Sequence, residues 1–232
     1  RDRSVSRGLG DVYKRQEEYR VLEKIKNSIP VCYLTDHADF ALGIVTGNNK
    51  KFLSAEKTEH SEMVLKGTDI CKYHINPAKQ YLRFEPEQFQ QVAPLEIYRA
   101  PEKLLYRFIS NQLVVAYDDR QMLSLNSCNI VIPKIEGMQI KYILAILNSS
   151  VSQFVYQKEF HSIKVLRAHM EHIPIPRVGK AIQNEIIAMT EPLICGMGKE
   201  AAETCQKRLD CRIMDLFRFS AEEQWIIRHA LH

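Results

Sequence analysis

The sequence predicts an α+β protein: a mixed, mainly antiparallel β-sheet domain with short helices, followed by a helical C-terminal tail. Three observations predict it. From residue 31 to 132, short runs rich in Val, Ile, Leu and aromatics alternate with Asn, Gly, Pro and Asp, the texture of short strands joined by turns. Pro174 and Pro176 then interrupt the chain, and neither can supply the amide hydrogen that a helix interior needs. After them apolar residues recur at three- and four-residue spacing, as a buried helix face requires. At 232 residues and 45% hydrophobic content, the chain can bury a core of ordinary size.

Residues 1–16 are set apart, because Val5-Ser-Arg-Gly-Leu-Gly-Asp-Val-Tyr-Lys-Arg-Gln16 looks like a translated sequencing-adaptor fragment and such scars are excluded from fold reasoning. Residues 17–26 follow as a short charged helix with Tyr19, Leu22 and Ile25 at helical spacing. Strands are expected over 40–45, 63–65, 81–84, 104–109, 113–117 and 129–132. Ser110-Asn-Gln112 connects two of them as a hairpin, and Asp118-Asp-Arg120 reads as a solvated turn after the second. In 138–147, Ile140, Ile143, Leu144 and Leu147 fall on one face of a helix, which Asn148-Ser149 stops. Val151, Phe154 and Val155 extend a further helix to about residue 157, and Ile173-Pro-Ile-Pro176 is an extended connector. This divides the chain into a domain over 17–176 and a tail over 177–232.

The tail carries two apolar stripes, Ile182, Ile186, Met189 and Leu193, then Ala202, Cys205, Leu209, Ile213 and Leu216, separated by Gly196 and Gly198. Ser220 and Glu223 have capping-box spacing, in which each side chain satisfies an amide near the other, and so start a last helix bearing Trp225.

Composition narrows the classes. No apolar run approaches the ~20 residues that a membrane helix requires, and charges occupy the N-terminus where a secretory signal needs its apolar stretch, so a cytoplasmic protein without membrane contact is expected. The six cysteines include no CxxC pair, which suits reduced thiols. The formal charge of +4 falls to about +1 once the five basic and two acidic residues of 1–16 are removed. A balance that small does not attract nucleic acid by bulk electrostatics, so any such role needs local patches.

Catalytic signatures are missing. Methylation of a base amino group calls for a proline-rich loop with an aromatic to stack on the flipped base; Asn76-Pro-Ala78 lacks both the second proline and the aromatic. Metal-dependent nucleases typically carry Glu or Asp, one spacer, then Lys, and neither pattern occurs. His169 and His172 have the spacing to share an ion on a helix, but a third ligand is missing, and a surface or interface pair is the competing reading. His60, His74 and His161 show no nucleophile-plus-orienter arrangement. The chain is expected to be non-catalytic, with no cofactor of its own.

Recognition chemistry is better represented. In Thr46-Gly-Asn-Asn-Lys-Lys51, Asn48 and Asn49 suit a base edge and Lys50 and Lys51 suit phosphates, with a plain Gly-Asn turn as the alternative. Lys66 precedes Gly67 at a strand end, where the alternative is again a turn. Lys103, Arg107, Asn126 and Asn129 complete a polar and basic set, with Tyr73 or Tyr106 packing behind it or lying in the core.

Four segments occur in a telling order: Gly43-Ile-Val-Thr-Gly-Asn-Asn49, Leu65-Lys-Gly-Thr-Asp-Ile70, Leu147-Asn-Ser149 and Ile173-Pro-Ile-Pro176. In this the chain resembles the TaqI-like C-terminal specificity domain, the DNA target recognition module of adenine-specific methyltransferases and of restriction enzymes fused to them. The likeness covers about residues 40–176 and continues more loosely through Leu209-Asp-Cys-Arg-Ile-Met-Asp-Leu216 and the last helix. Ala100-Pro-Glu-Lys-Leu-Leu105 matches a Pro-Lys block imperfectly, because Glu102 intrudes, which weakens a phosphate role for Lys103. The resemblance implies double-stranded DNA as partner. It also implies a preceding methyltransferase domain or subunit that binds S-adenosylmethionine and methylates a flipped adenine, in a parent enzyme with or without a fused endonuclease. A scaffold or specificity subunit, holding partner chains through its C-terminal helices, is the alternative.

Overall fold

The computed structural model describes residues 3–160 and 162–231; Arg1, Asp2, His161 and His232 lie outside the described residues, and so therefore does any role for His161. Helix α1 spans Arg3–Asn27, so the helix expected from residue 17 runs continuously from further back. It leads to β1 (Val31–Cys32), β2 (Ala38–Ala41), the single-turn helix α2 (Asn49–Phe52), β3 (Leu53–Ser54), β4 (Glu62–Leu65) and β5 (Tyr81–Leu82). Next come α3 (Leu95–Tyr98), β6 (Lys103–Arg107), β7 (Val115–Asp118), β8 (Leu123–Ser124) and β9 (Cys128–Pro133). Helices α4 (Ile140–Asn148), α5 (Ser150–Glu159) and α6 (Arg167–Glu171) precede β10 (Ile175–Pro176), and α7 (Lys180–Cys195), α8 (Lys199–Leu216) and α9 (Ala221–His229) end the chain. The α+β class and the helical tail hold.

A four-stranded antiparallel sheet in the order β2-β9-β6-β7 organises the molecule. Side chains alternate across a strand, and here both faces are covered. Leu104, Tyr106, Val115, Tyr117 and Val131 join one core with α4, α5 and the tail, whereas Leu105, Ala116, Cys128 and Ile130 join a second. That double burial is why these strands read as unbroken apolar runs. The second core is shared with another four-stranded sheet, β3-β5-β4-β8, in which β4 and β8 run parallel. The Ile-Pro-Ile-Pro connector becomes β10, antiparallel to β1.

Helix α4 is enclosed on all sides, with Tyr142 through Asn148 buried, because the sheet covers one face and α7 another. The Leu-Asn-Ser segment then closes the sheet's open edge. The Asn148 carboxamide accepts from Val115 N at 3.0 Å and donates to Val115 O at 2.8 Å, and Gln153 does the same for Leu113 at 2.9 Å in each direction. Two side-chain amides, with the Tyr73 backbone that donates to Val115 O at 2.7 Å and accepts from Tyr117 N at 3.1 Å, thus stand in for a fifth strand along this edge. Ser149 caps α5 through Ser152 N.

The helices after Pro176 share this core. Ile186, Leu193, Leu209, Ile213 and Ile227 are buried with the sheet residues. Buried Gln183 donates to Gly137 O and accepts from Gln139 N, both at 2.9 Å, and Asp210 accepts from Ser150 N and Oγ at 2.9 and 2.8 Å. Ser220 and Glu223 form the expected capping box. No helix among the described residues is long and apolar enough to cross a membrane.

Candidate nucleic-acid interface

Two loops, one at Gly43–Ile44 and one at Leu65–Gly67, converge on the segment from Ser124 to Cys128. Ile44 N donates to Ser124 O at 2.7 Å, Asn126 N returns a bond to Ile44 O at 3.1 Å, and Leu125 N reaches Leu65 O at 2.7 Å. Gly67 N donates to Ser127 Oγ at 2.9 Å. Such close approach explains two of the glycines: a Cβ on Gly43 would stand 2.0 Å from Leu125 O, and one on Gly67 would stand 2.6 Å from Ser127 O, both inside any tolerable contact.

These loops enclose an open cleft of about 410 Å³ lined by Asn49, Lys50, Lys66, Gln80, Asn126 and Ser127, with Leu53 and Leu125. Its only charged lining residues are lysines. The turn beside it is stiffened by its own side chains. Thr46 Oγ1 donates to Asn49 Oδ1 at 2.6 Å, and Asn48 caps α2 by accepting from Lys51 N at 3.2 Å. Lys51 is exposed, its ammonium 4.7 Å from the centre of the Phe52 ring, and Phe52 packs edge-on against Phe89. A basic, amide-bearing rim on a rigid base can neutralise phosphates and present donors and acceptors to base edges.

The structure therefore brings together Asn49, Lys50, Lys66 and Asn126, with Asn48 and Lys51 beside them. It separates off the other four. Lys103 is fully buried, held by Asp118 Oδ2 at 2.5 Å and Tyr98 O at 2.6 Å, so it is a core ion pair and cannot reach a phosphate. Burial pushes its ammonium pKa down, against the pull of Asp118. Asp118 is likewise no solvated turn residue: at 1% exposure it also accepts from Arg120 N and Met122 N, while its neighbour Asp119 is exposed. Arg107 spends its guanidinium on Gly67 O and Ile70 O, clamping the Lys66 turn. Asn129 is buried and accepts from Gly43 N at 3.2 Å, and Thr46 is buried within its own loop.

Tyr73 and Tyr106 both lie in the core. Burial raises the Tyr106 phenol to about 12, with a hydrogen bond from Asn129 pulling the other way. Sequence reasoning missed Gln80 and Ser127; Ser127 sits between Asn126 and Asn129, a polar cluster that marks the spot, whereas Gln80 carries no local signal. His169 Nδ1 accepts from Leu166 N, and its ring stacks on Phe160, while His172 Nδ1 bonds Ala168 O. Among the described residues no three His, Cys, Asp or Glu side chains gather as a metal site requires.

Larger concavities lie elsewhere. One of about 870 Å³ between α7 and α8 mixes Glu185 and Glu200 with Arg208. Another of about 700 Å³ beside β2 has Arg167, already paired with Glu171 at 2.7 Å. Neither combines unpaired lysines with amides.

Residues 62–175 match the TaqI-like C-terminal specificity domain. Among solved structures the chain is similar to the type IIL restriction-modification enzyme MmeI in complex with DNA, with 12% identity, a TM-score of 0.57, 84% of this chain covered and 35% of that one. It is also similar to the type IIG restriction endonuclease BpuSI, with 10% identity, a TM-score of 0.54, and 93% and 32% covered. The HsdS subunit from Thermoanaerobacter tengcongensis matches at 14% identity and a TM-score of 0.45, over 98% of this chain and 54% of that one. At these identities the likeness concerns the fold, and the chain spans about a third of the two restriction enzymes. Among curated protein sequences none matches significantly.

Proposed function

We propose, from the match of residues 62–175 to the TaqI-like C-terminal specificity domain, that the chain is the sequence-specific DNA recognition module of an adenine-specific methyltransferase or restriction-modification enzyme. It binds duplex DNA through the lysine-flanked cleft and leaves bond-making to a neighbouring methyltransferase domain or subunit, where S-adenosylmethionine is held. One observation carries the reading: Asn49, Lys50, Lys66 and Asn126, drawn from three separate stretches of sequence, line one cleft whose only charges are positive. Lysines there supply the attraction to phosphates, and amides supply the vocabulary for base edges.

Amine acetylation with and without duplex DNA tests it. Lys50, Lys51 and Lys66 are expected to be shielded by the duplex, while Lys180 and Lys199 at the starts of the tail helices stay as reactive as before. Equal labelling of all five in both conditions would reject the proposal. The scaffold reading draws on the groove between α7 and α8, where Met189, Pro192 and Met197 are accessible beside charged residues. Under that reading a partner chain, rather than DNA, shields Lys199.

A further inference from the structure

Resting on the recognition reading, we infer that Gln80 and Asn126 are the residues of the cleft that determine specificity, each reading the N6/N7 edge of an adenine in the major groove. The other uncharged polar side chains at the cleft each have their oxygen engaged, which leaves none of them a free donor–acceptor pair. Ser127 Oγ accepts from Gly67 N at 2.9 Å, Asn49 Oδ1 accepts from Thr46 Oγ1, and neighbouring Asn48 is used as a helix cap. The carboxamides of Gln80 and Asn126, by contrast, have no hydrogen-bond partner among the described residues, although both line the cleft.

Their backbones are pinned. Gln80 O accepts from Val64 N at 3.0 Å and Asn126 N donates to Ile44 O at 3.1 Å, with Leu125, next to Asn126, bonded to Leu65. A side chain that is free to bond, on a main chain that is not free to move, needs no internal bond broken and little ordering on binding. The chemistry narrows the target further. A carboxamide presents one donor and one acceptor side by side, which complements adenine N7 and N6–H; guanine shows two acceptors on the same edge, leaving the carboxamide oxygen facing another oxygen. Lys50 and Lys66 flank the pair and supply charge without sequence preference.

Selection of the full chain from a pool of randomised duplex oligonucleotides tests the assignment, with Gln80→Ala and Asn126→Ala run in parallel and melting temperatures compared to establish that all three are folded. The wild type is expected to enrich a word containing adenine. Each variant should lose preference for adenine over guanine at one position by about tenfold or more, while keeping its affinity for the unselected pool and its salt dependence. If both variants enrich the same word as strongly as the wild type, the assignment is wrong and DNA reading lies elsewhere on the chain. If the wild type enriches no word, the recognition reading itself falls, and the assignment with it.

Discussion

Lys66 and Lys103 each stand at the end of a strand, yet one borders an open cleft and the other is sealed between two sheets. The difference lies across the sheet, not along the chain. Lys103 is paired in register with Asp118, so a carboxylate meets it inside the core. Lys66 follows the last residue of β4, where the chain leaves the sheet and turns under the clamp of Arg107; the Asp69 carboxylate accepts from its backbone amide, but its ammonium forms no ion pair among the described residues. A lysine with a cross-strand acid serves the fold, whereas one without serves the surface. The two regions should therefore respond oppositely to neutralisation: loss of stability with no change in charge-dependent binding at Lys103, and the reverse at the cleft.

The largest effect is expected from Lys103→Met, which leaves the Asp118 carboxylate buried without its counter-ion and should cost about 3–5 kcal/mol of unfolding free energy, measured by urea titration. A loss under 1 kcal/mol would mean that the pair is not sealed. Asn148→Ala removes the carboxamide bonded to Val115 N and Val115 O; Tyr73 N still serves Val115 O, so the buried Val115 N is left without a partner, which should cost about 1–3 kcal/mol by the same titration.

Alkaline titration sharpens the core side of the comparison. Tyr106 ionises near 12 when folded and near 10 when unfolded. Because the folded pKa is raised, its contribution is intact below pH 10 and is lost as pH climbs from 10 to 12, at most about 2–3 kcal/mol. Tyr106→Phe should flatten the decline of stability over that window; an unchanged decline would place the phenol in water. The smallest stability effect belongs to the cleft. Neutralising Lys50, Lys51 and Lys66 should move unfolding by no more than about 0.5 kcal/mol each.

Much of this architecture is legible from residue order. The strands of the central sheet announce themselves by apolar content, α4 by its spacing, the last helix by Ser220 and Glu223, and the connector by its prolines. Even the Lys103–Asp118 pair is implicit: folding the hairpin about Ser110 and Asn111 sets the two side by side, so the strand pairing, followed through, removes Lys103 from the surface. Other parts have no local signature. The two-residue strands β1 and β8 exist only because distant partners, β10 and β4, arrive beside them. Gln80 enters the cleft by the same long-range pairing. Arg107 and Asn129 look like surface contacts in sequence because their partners, the carbonyls of Gly67 and Ile70 and the amide of Gly43, are backbone groups that no residue pattern displays.

The central claim is that the cleft lysines meet phosphate. Duplex binding measured across a salt series, for the full chain and for the Lys50→Gln, Lys51→Gln, Lys66→Gln triple variant, tests it most directly. The wild-type affinity should fall steeply with salt, and the triple variant should lose about 2–3 units of the log–log slope while keeping its melting temperature. A wild-type affinity indifferent to salt, or a variant with an unaltered slope, would contradict the account.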